Sequence, residues 1–560
     1  MADRPLALLL QLPIPPPGPM TVRGNVPLAA AYLKLFAERR GLGAAWQIEI
    51  LPARLANAMG DQALVREILD RRPSLVGMTC YLWNVNRSLW LAAELRRHRP
   101  DLAIVLGGPE ITADNAWVLE SGAADYAVLG EGEQTFAELL ATLPRGPKGQ
   151  AIPGLQVLPH GPTAPARMPL ANLEEISSPY LEGILDAADE ESMLLETTRG
   201  CVYKCHFCYY PKSYPGQYFL SEDKVLANLR HACERGAKEV FLLDPTLNQR
   251  RDFPAFLKLL AHGNPERQFT YSAELRAEGV RPETAQLLAE ANFVEVEVGL
   301  QSVDPHAQEL MERRVNLKAF ERGVRSMLDV GINVRVDLIL GLPGDTRDSI
   351  LRGVDYLQRS RLFSEAQIFN LAILPGTAFR QQAEGLGLAY QSRPPYYVLR
   401  TPTLDTEDMI DLMAEAQEAF GTEFDPLPPP STQPPDASAR PCPGCIVDLD
   451  REPPTLPRAD QRAQTFTLWL RSADFRPRAE QAAAIVAGLL DDNPHTTLEV
   501  VFDGPRPELV DESVLGRVEA ACYRTTSYLD RYYSLHPNGS LGAKRLVVLG
   551  PSDIGSACEE

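Results

Sequence analysis

Short apolar runs alternate with amphipathic stretches along most of this chain, and that alternation restricts it to parallel sheets with helices crossing between the strands. Candidate strands at 6–10, 47–51, 74–80, 102–106 and 126–129 predict a five-stranded, doubly wound, Rossmann-like domain over residues 1–145. Ligands of such a sheet gather at the carboxyl ends of the strands, near the switch point. The loops there are rich in glycine and proline: 13–18, Tyr81-Leu82-Trp83-Asn84, Gly107-Gly108-Pro109-Glu110 and Gly130-Glu131-Gly132-Glu133. A linker over 146–185 leads to a second alternating region, 186–400, with strands at 193–196, 239–243, 269–273, 294–299, 333–340 and 366–371. Repeated strand–helix units predict a partial (β/α)6 barrel of TIM type, with its chemistry at the carboxyl ends of the strands. Residues 401–459 combine a helix at 406–423 with a proline-dense stretch that builds no core of its own. Strands at 466–470, 498–502 and 546–549 and helices at 479–490 and 513–527 make 460–560 a small α+β domain.

A net charge of -19, with no basic run, argues against nucleic acid as a partner, because phosphate contacts need a cationic face. The chain has 9 cysteines among 560 residues, which is not a secreted disulfide scaffold, and a reducing cytoplasm is the natural setting. The apolar run at 6–12 has little positive charge before it and ends in prolines, so it reads as a first strand and not as a signal peptide. No stretch approaches the roughly eighteen apolar residues of a membrane span, so no membrane is expected.

Directly after the first strand of the second region stands Glu-Thr-Thr-Arg-Gly-Cys-Val-Tyr-Lys-Cys-His-Phe-Cys-Tyr-Tyr, with Cys201, Cys205 and Cys208. Three thiolates hold three irons of a four-iron cluster and leave the fourth iron an open position. Open metal positions are where substrate chemistry happens. The competing reading is a zinc knuckle or three structural thiols. A closed zinc site needs a fourth ligand, and His206, between two of the cysteines, points away from them.

The spacing, with Phe207 before the last cysteine, resembles the CxxxCxxC signature of the radical S-adenosylmethionine (SAM) enzymes. In that family the open iron chelates SAM, and electron transfer cleaves it to a 5'-deoxyadenosyl radical. The resemblance extends along the later strands. Asp244 and Thr246 stand where relatives carry a glycine-glycine-glutamate that meets the methionine amine, so they are substitutes at a departed position. Glu274 follows the third strand, where a polar group holds the ribose or carboxylate. Gln301 and Ser302 close the fourth strand beside the cofactor, and Arg335 and Asp337 lie on the fifth. Gly341-Leu342-Pro343-Gly344 and Leu374-Pro375-Gly376-Thr377 follow in the family's order.

The first four hundred residues together resemble the cobalamin-dependent radical SAM enzymes of the class B methylase type. The resemblance implies that the loop after the third strand packs beneath the corrin, with Tyr81, Trp83 and Asn84 there and Trp83 shielding the lower cobalt face. Gly107, Gly108, Glu110, Gly130, Glu131 and Gly132 would then surround the corrin edge or nucleotide tail. No Asp-x-His-x-x-Gly loop is present, and His98 is the first domain's only histidine; cobalamin-dependent radical enzymes commonly lack that loop.

The implied activity is methyl transfer from methylcobalamin to a carbon of a small-molecule or peptide substrate. The implied cofactors are a [4Fe-4S] cluster, SAM and cobalamin, with a flavodoxin or ferredoxin as electron donor. Two alternatives stay open: cyclisation or rearrangement with the same cofactors, and a non-catalytic iron-sulfur or cobalamin sensor. A tRNA methylthiolase fits poorly, since three extra cysteines and a basic tail are missing. Cys442 and Cys445 form a CxxC in the proline-rich segment, read as a solvated or incidental pair, and Cys80, Cys233 and Cys522 as buried small hydrophobes.

Overall fold

The computed structural model describes residues 4–20, 22–143, 151–159, 161, 165–189, 192–210, 214, 216–451, 456–537 and 542–550. Its first sheet contains β1 (Leu6–Gln11), β2 (Gln47–Ile50), β3 (Leu75–Thr79), β4 (Ala103–Gly107), β5 (Tyr126–Val128) and β6 (Leu155–Val157), in the order β2-β1-β3-β4-β5-β6. All pairs are parallel except β5 with β6. β1 and β3 are the strands at which the order reverses. Both faces are covered: Leu8, Leu10 and Val76 pack on one side, Leu9, Val105 and Phe136 on the other. Burial on both faces is why these strands read as unbroken apolar runs.

β6 lies inside the segment expected to be linker, so the first sheet reaches past residue 145. It has only three residues and sits among prolines and glycines, too short for an alternation to show.

The second sheet is built from β7 (Ser192–Leu195), followed by a ribbon of β8 (Thr198–Arg199) with β9 (Tyr218–Phe219), then β10 (Glu239–Leu242), β11 (Thr270–Leu275), β12 (Phe293–Gln301), β13 (Asn333–Leu340) and β14 (Glu365–Asn370). Its six main strands are parallel and run in chain order from β7 to β14, which form the two edges. This open, all-parallel strand order is consistent with a partial (β/α)6 barrel. Its helices each turn an apolar stripe inward, as with Phe320, Val324 and Met327 of helix Leu317–Asp329.

β15 (Ala389–Tyr390) and β16 (Val398–Arg400) pair antiparallel after the barrel, and helix Thr406–Phe420 follows. The C-terminal sheet holds β17 (Cys442–Asp448), β18 (Arg462–Arg471), β19 (Thr497–Asp503) and β20 (Lys544–Val548), in that order and parallel throughout. β17 corrects the sequence reading twice: the proline-dense segment contributes a strand to a core, and Cys442 and Cys445 are buried on it rather than solvated. Cys442 Sγ donates to the Gly444 carbonyl at 3.1 Å, and Cys445 packs in the same cluster as Cys522. Cys80 is buried as expected, Cys233 is only partly covered, and Cys558 lies outside the described residues.

This third unit docks on the first. Gly60 N donates to the Arg462 carbonyl at 2.9 Å, Gln62 N to Asn493 Oδ1 at 2.9 Å, and the Asp61 carboxylate takes Arg87 at 2.7 Å and His495 N at 2.8 Å. No helix among the described residues is long and apolar enough to cross a membrane.

Helix Leu317–Asp329 crosses the turn at Ala277 so closely that a Cβ on Gly323 would lie 1.9 Å from the Ala277 carbonyl oxygen. Gly323→Ala is therefore expected to cost roughly 1–3 kcal/mol, the range for overpacking, measured as a lower urea midpoint at unchanged m-value.

Candidate active site at the mouths of two sheets

The three cysteines sit on a loop that little regular structure supports, so side chains hold it. Asp244, after β10, accepts Thr197 N at 2.8 Å, Thr198 N at 2.9 Å and Thr197 Oγ1 at 2.5 Å. Its carboxylate is fully used in aiming the chain into the cysteine segment. It therefore orders the loop and is not free for a cofactor, which corrects its assignment from sequence. Gly200 has φ +91°, and a Cβ there would lie 2.1 Å from the Gly216 carbonyl oxygen, so only glycine passes. Gln249 spans the loop, accepting from Val202 N at 3.0 Å and donating to the Gly200 carbonyl at 3.1 Å. His206 turns away as expected: its backbone is tied to Met311 and Phe379, and its ring lies edge-on to Phe379.

Cys201, Cys205 and Cys208 line one cavity of about 120 Å³, with Phe207, Thr246, Glu274 and Gln301 on its walls. Burial pushes the Cys208 thiol up to about 12 and raises Cys201 as well, so metal binding there must release protons. Arg313 places Nη1 3.9 Å from Cys205 Sγ while Nη2 donates to the Gly299 carbonyl at 2.5 Å. Gln301, at φ +68°, leaves its Oε1 buried without a hydrogen-bond partner, and so does Asp337 with Oδ1. Burial, with the Glu297 charge adding to it, pushes Glu274 up to about 7 and holds Asp337 well above the carboxylate range. Arg276 stacks on Tyr203 at 4.2 Å at the same rim.

Two assigned residues lie elsewhere. Ser302 Oγ donates to Asp345 at 3.0 Å and accepts from Asp304 N at 3.0 Å, closing a turn behind the cavity. Arg335 lies among Glu295, Glu297 and Glu365 at 3.3, 3.7 and 3.4 Å. It sits one strand repeat, about 7 Å, below Asp337 and further from the mouth. Arg313 and Glu297 were missed altogether; neither belongs to a motif, and only folding brings them to the cysteines.

A second cavity, of about 290 Å³, runs from the carboxyl ends of β1, β3, β4 and β5 down one face of the first sheet. Tyr81, Gly107, Gly108, Gly130, Glu131 and Gly132 line it. Gly77, also on its wall, has room for no Cβ, which would lie 2.5 Å from Leu9 Cδ2. Gly108, at φ +104°, would carry a Cβ 2.7 Å from the Cys80 carbonyl oxygen. Trp83 is outside this lining, its ring stacked on Tyr81 at 4.5 Å. Asn84 is consumed by backbone: Oδ1 accepts Tyr81 N at 2.8 Å and Nδ2 donates to Leu12 and Thr79 carbonyls at 2.9 and 3.1 Å. Glu110 faces the other domain, accepting from Tyr396 Oη at 2.6 Å, and burial pushes it up to about 7. Both are thus structural, because a polar side chain just after a strand can close a loop as readily as it can meet a ligand.

Arg199 joins the two cavities. Its guanidinium meets Glu131 at 2.6 Å, Glu133 at 2.9 Å and Glu196 at 2.9 Å, and it is 6% exposed. Glu196, Arg199 and Tyr214 of the second domain line this second cavity, while Cys201, two residues on from Arg199, lines the cysteine cavity.

Residues 25–140 match the B12 binding domain and residues 195–357 the Radical SAM superfamily. The chain therefore carries a B12-binding domain followed by a radical SAM domain. It is 26% identical over 406 residues to the cobalamin-dependent radical SAM methyltransferase TokK of Streptomyces tokunonensis, covering 68% of this chain and 58% of that one. It is 25% identical over 424 residues to the 2-(S-pantetheinyl)-carbapenam-3-carboxylate methyltransferase of Streptantibioticus cattleyicolor, covering 71% and 61%. The chain thus spans about three fifths of the length of these relatives. The fold is similar to the radical SAM methyltransferase TsrM from Kitasatospora setae, with a TM-score of 0.60 at 18% identity over 74% of this chain and 89% of that one. It is similar also to the cobalamin-dependent SAM radical enzyme OxsB, with a TM-score of 0.59 at 15% identity over 74% and 67%.

The cofactors of these domains are cobalamin, and a [4Fe-4S] cluster with SAM. The residues fit both groups. Gly107 and Gly130 line the slot where a Cβ would meet no atom closer than 3.9 Å, so side chains there would take up its space, and the thiols have a guanidinium beside them. The partnerless Gln301 and Asp337 oxygens, with Arg276 opposite, suit a ligand carrying both charges and hydroxyls.

Removing Arg199 would leave three buried carboxylates together, so Arg199→Ala is expected to cost roughly 3–5 kcal/mol at pH 8. Burial already raises Glu131 and Glu196, and the deficit should shrink as pH falls and the unpaired carboxyls take up protons, checked by urea denaturation across pH. A Cβ on Gly107 would meet no protein atom closer than 3.9 Å, so Gly107→Ala should lower bound cobalamin several-fold at unchanged iron content, read from the absorbance and metal analysis of purified protein.

Proposed function

We propose that this protein is a C-methyltransferase that moves a methyl group from methylcobalamin to an unactivated carbon of a small-molecule or peptide substrate of natural-product type. The observation that carries this reading is the shared wall. One segment, 196–214, lines the slot of the B12-binding domain with Glu196, Arg199 and Tyr214 and the cysteine cavity with Cys201, Cys205 and Cys208. The names of the relatives support it from another side, since both are methyltransferases.

In this reading Cys201, Cys205 and Cys208 hold the cluster, and Thr246, Glu274, Gln301, Asp337, Arg276 and Arg313 hold SAM beside it. Gly107 and Gly130 admit cobalamin to the slot, with Tyr81 at its mouth. When bound, these groups supply a carbon-centred radical and a transferable methyl. The chain orients the two sites through Arg199 and narrows the space between them with Tyr81 and Tyr214. A flavodoxin or ferredoxin supplies electrons, and the setting is the cytoplasm.

Anaerobic protein loaded with iron, sulfide and cobalamin, given SAM, a low-potential reductant and candidate substrates, is expected to form 5'-deoxyadenosine and S-adenosylhomocysteine together, with product heavier by one methylene by mass spectrometry. Cys205→Ala should abolish all three. A product of unchanged mass would replace the proposal with rearrangement, and release of neither nucleoside with any substrate would replace it with a sensor.

A further inference from the structure

The C-terminal domain has no chemical motif of its own, yet it reaches the wall of the cobalamin slot. Tyr81 lines that slot, and the Trp83 ring lies parallel to it, 4.5 Å away and tilted by only 4°. Trp83 in turn packs, with Leu82, into a cluster made by Tyr528, Leu529, Tyr533 and Ala543 of the C-terminal domain. These residues belong to one short helix, Tyr528–Tyr532, and its surroundings, and that helix is held hard. Ser527 caps it, and Asp530 forms a buried pair with Lys544 that also accepts Ala543 N at 3.2 Å. On its far side Arg531 donates to the Pro394 carbonyl at 2.6 Å, beyond the barrel. Helix, Trp83 and Tyr81 thus form a continuous packed line from the third domain to the slot of the first domain.

We propose that the C-terminal domain is a positioning element for cobalamin: Leu529 and Tyr528 press on Trp83, which holds the Tyr81 ring flat as an apolar, non-ligating wall beside the corrin. The inference rests on the reading of the cavity of the first domain as the cobalamin slot. A stacked ring cannot rotate away without losing both its partner and the packing behind it, and an indole stacked on a phenol contributes an orientation that area alone does not. Truncating Leu529 would open space behind Trp83, free the stack, and let water into the part of the slot that the Tyr81 ring now walls off. Trp83 and Leu529 act here through Tyr81 and touch no cofactor themselves.

The test is electron paramagnetic resonance of cob(II)alamin in the full-length holoprotein for wild type, Trp83→Ala, Leu529→Ala and Leu529→Met, each with cobalamin and iron content measured. The expected result is that Trp83→Ala and Leu529→Ala bind cobalamin at wild-type stoichiometry, while their cobalt signals shift the same way toward a water-ligated form. Leu529→Met, which refills the space, should match wild type. Four identical spectra would overturn the proposal and leave the cobalamin reading intact. A wild-type protein that takes up no cobalamin would overturn both. Loss of cobalamin in Leu529→Ala with retention in Leu529→Met would support the positioning role, because the two differ only in what fills the space behind Trp83.

Discussion

One buried guanidinium sets the relation between the two halves of this molecule. Arg199 emerges from the second sheet immediately before the cysteine loop and is gripped by two glutamates of the first domain and one of its own. Taking one cation and three carboxylates out of water costs several kcal/mol per ion before their attraction is counted, so such a cluster is a poor source of stability. What it supplies is registry. A guanidinium presents its donors in a fixed fork, and satisfying three carboxylates at once leaves few relative placements of the loops that carry them. Contacts between domains are usually polar and permissive of motion. This one is polar and restrictive, and it lies where two cavities share a wall.

The cysteine loop shows the same economy of means on a smaller scale. Asp244, Gln249 and Arg313 replace a helix or strand with hydrogen bonds from outside the loop, and Gly200 lets two backbone segments approach more closely than any side chain would permit. Groups behind metal ligands decide how those ligands are aimed. Asp244 is informative here because its place in the chain suggests a ligand of the cofactor, whereas its geometry makes it an anchor for the two residues that lead toward Cys201.

Much of the architecture was legible because strands buried on both faces must be apolar without interruption, and runs such as Leu6 to Leu10 have few other uses. β6 and β17 escaped for opposite reasons. Leu155–Val157 is shorter than any recognisable period, and Cys442–Asp448 is embedded in prolines that mark a linker by composition while one strand inside it pairs with β18. The cysteines were legible because a cluster imposes their spacing directly on the chain. Asn84, Glu110, Ser302 and Arg335 were read as binding groups from their positions after or within strands, and each turns out to meet backbone, a neighbouring charge or, for Glu110, the Tyr396 hydroxyl instead. Arg313 carries no local signal, because its proximity to Cys205 arises across 108 residues.

The sequence by itself determined the order of sheets, the spacing of the three cysteines and the glycines of the slot, since each depends on neighbours a few residues away: burial period, motif spacing, backbone freedom. Only the tertiary structure decided which polar groups face a cofactor and which are spent on the fold. It also decided that Tyr81 rather than Trp83 meets the cavity, and that a distant C-terminal helix stands behind both. Those outcomes depend on which side chains arrive in the same place. A hydrogen bond or a stacked ring is a relation between positions that no local pattern records.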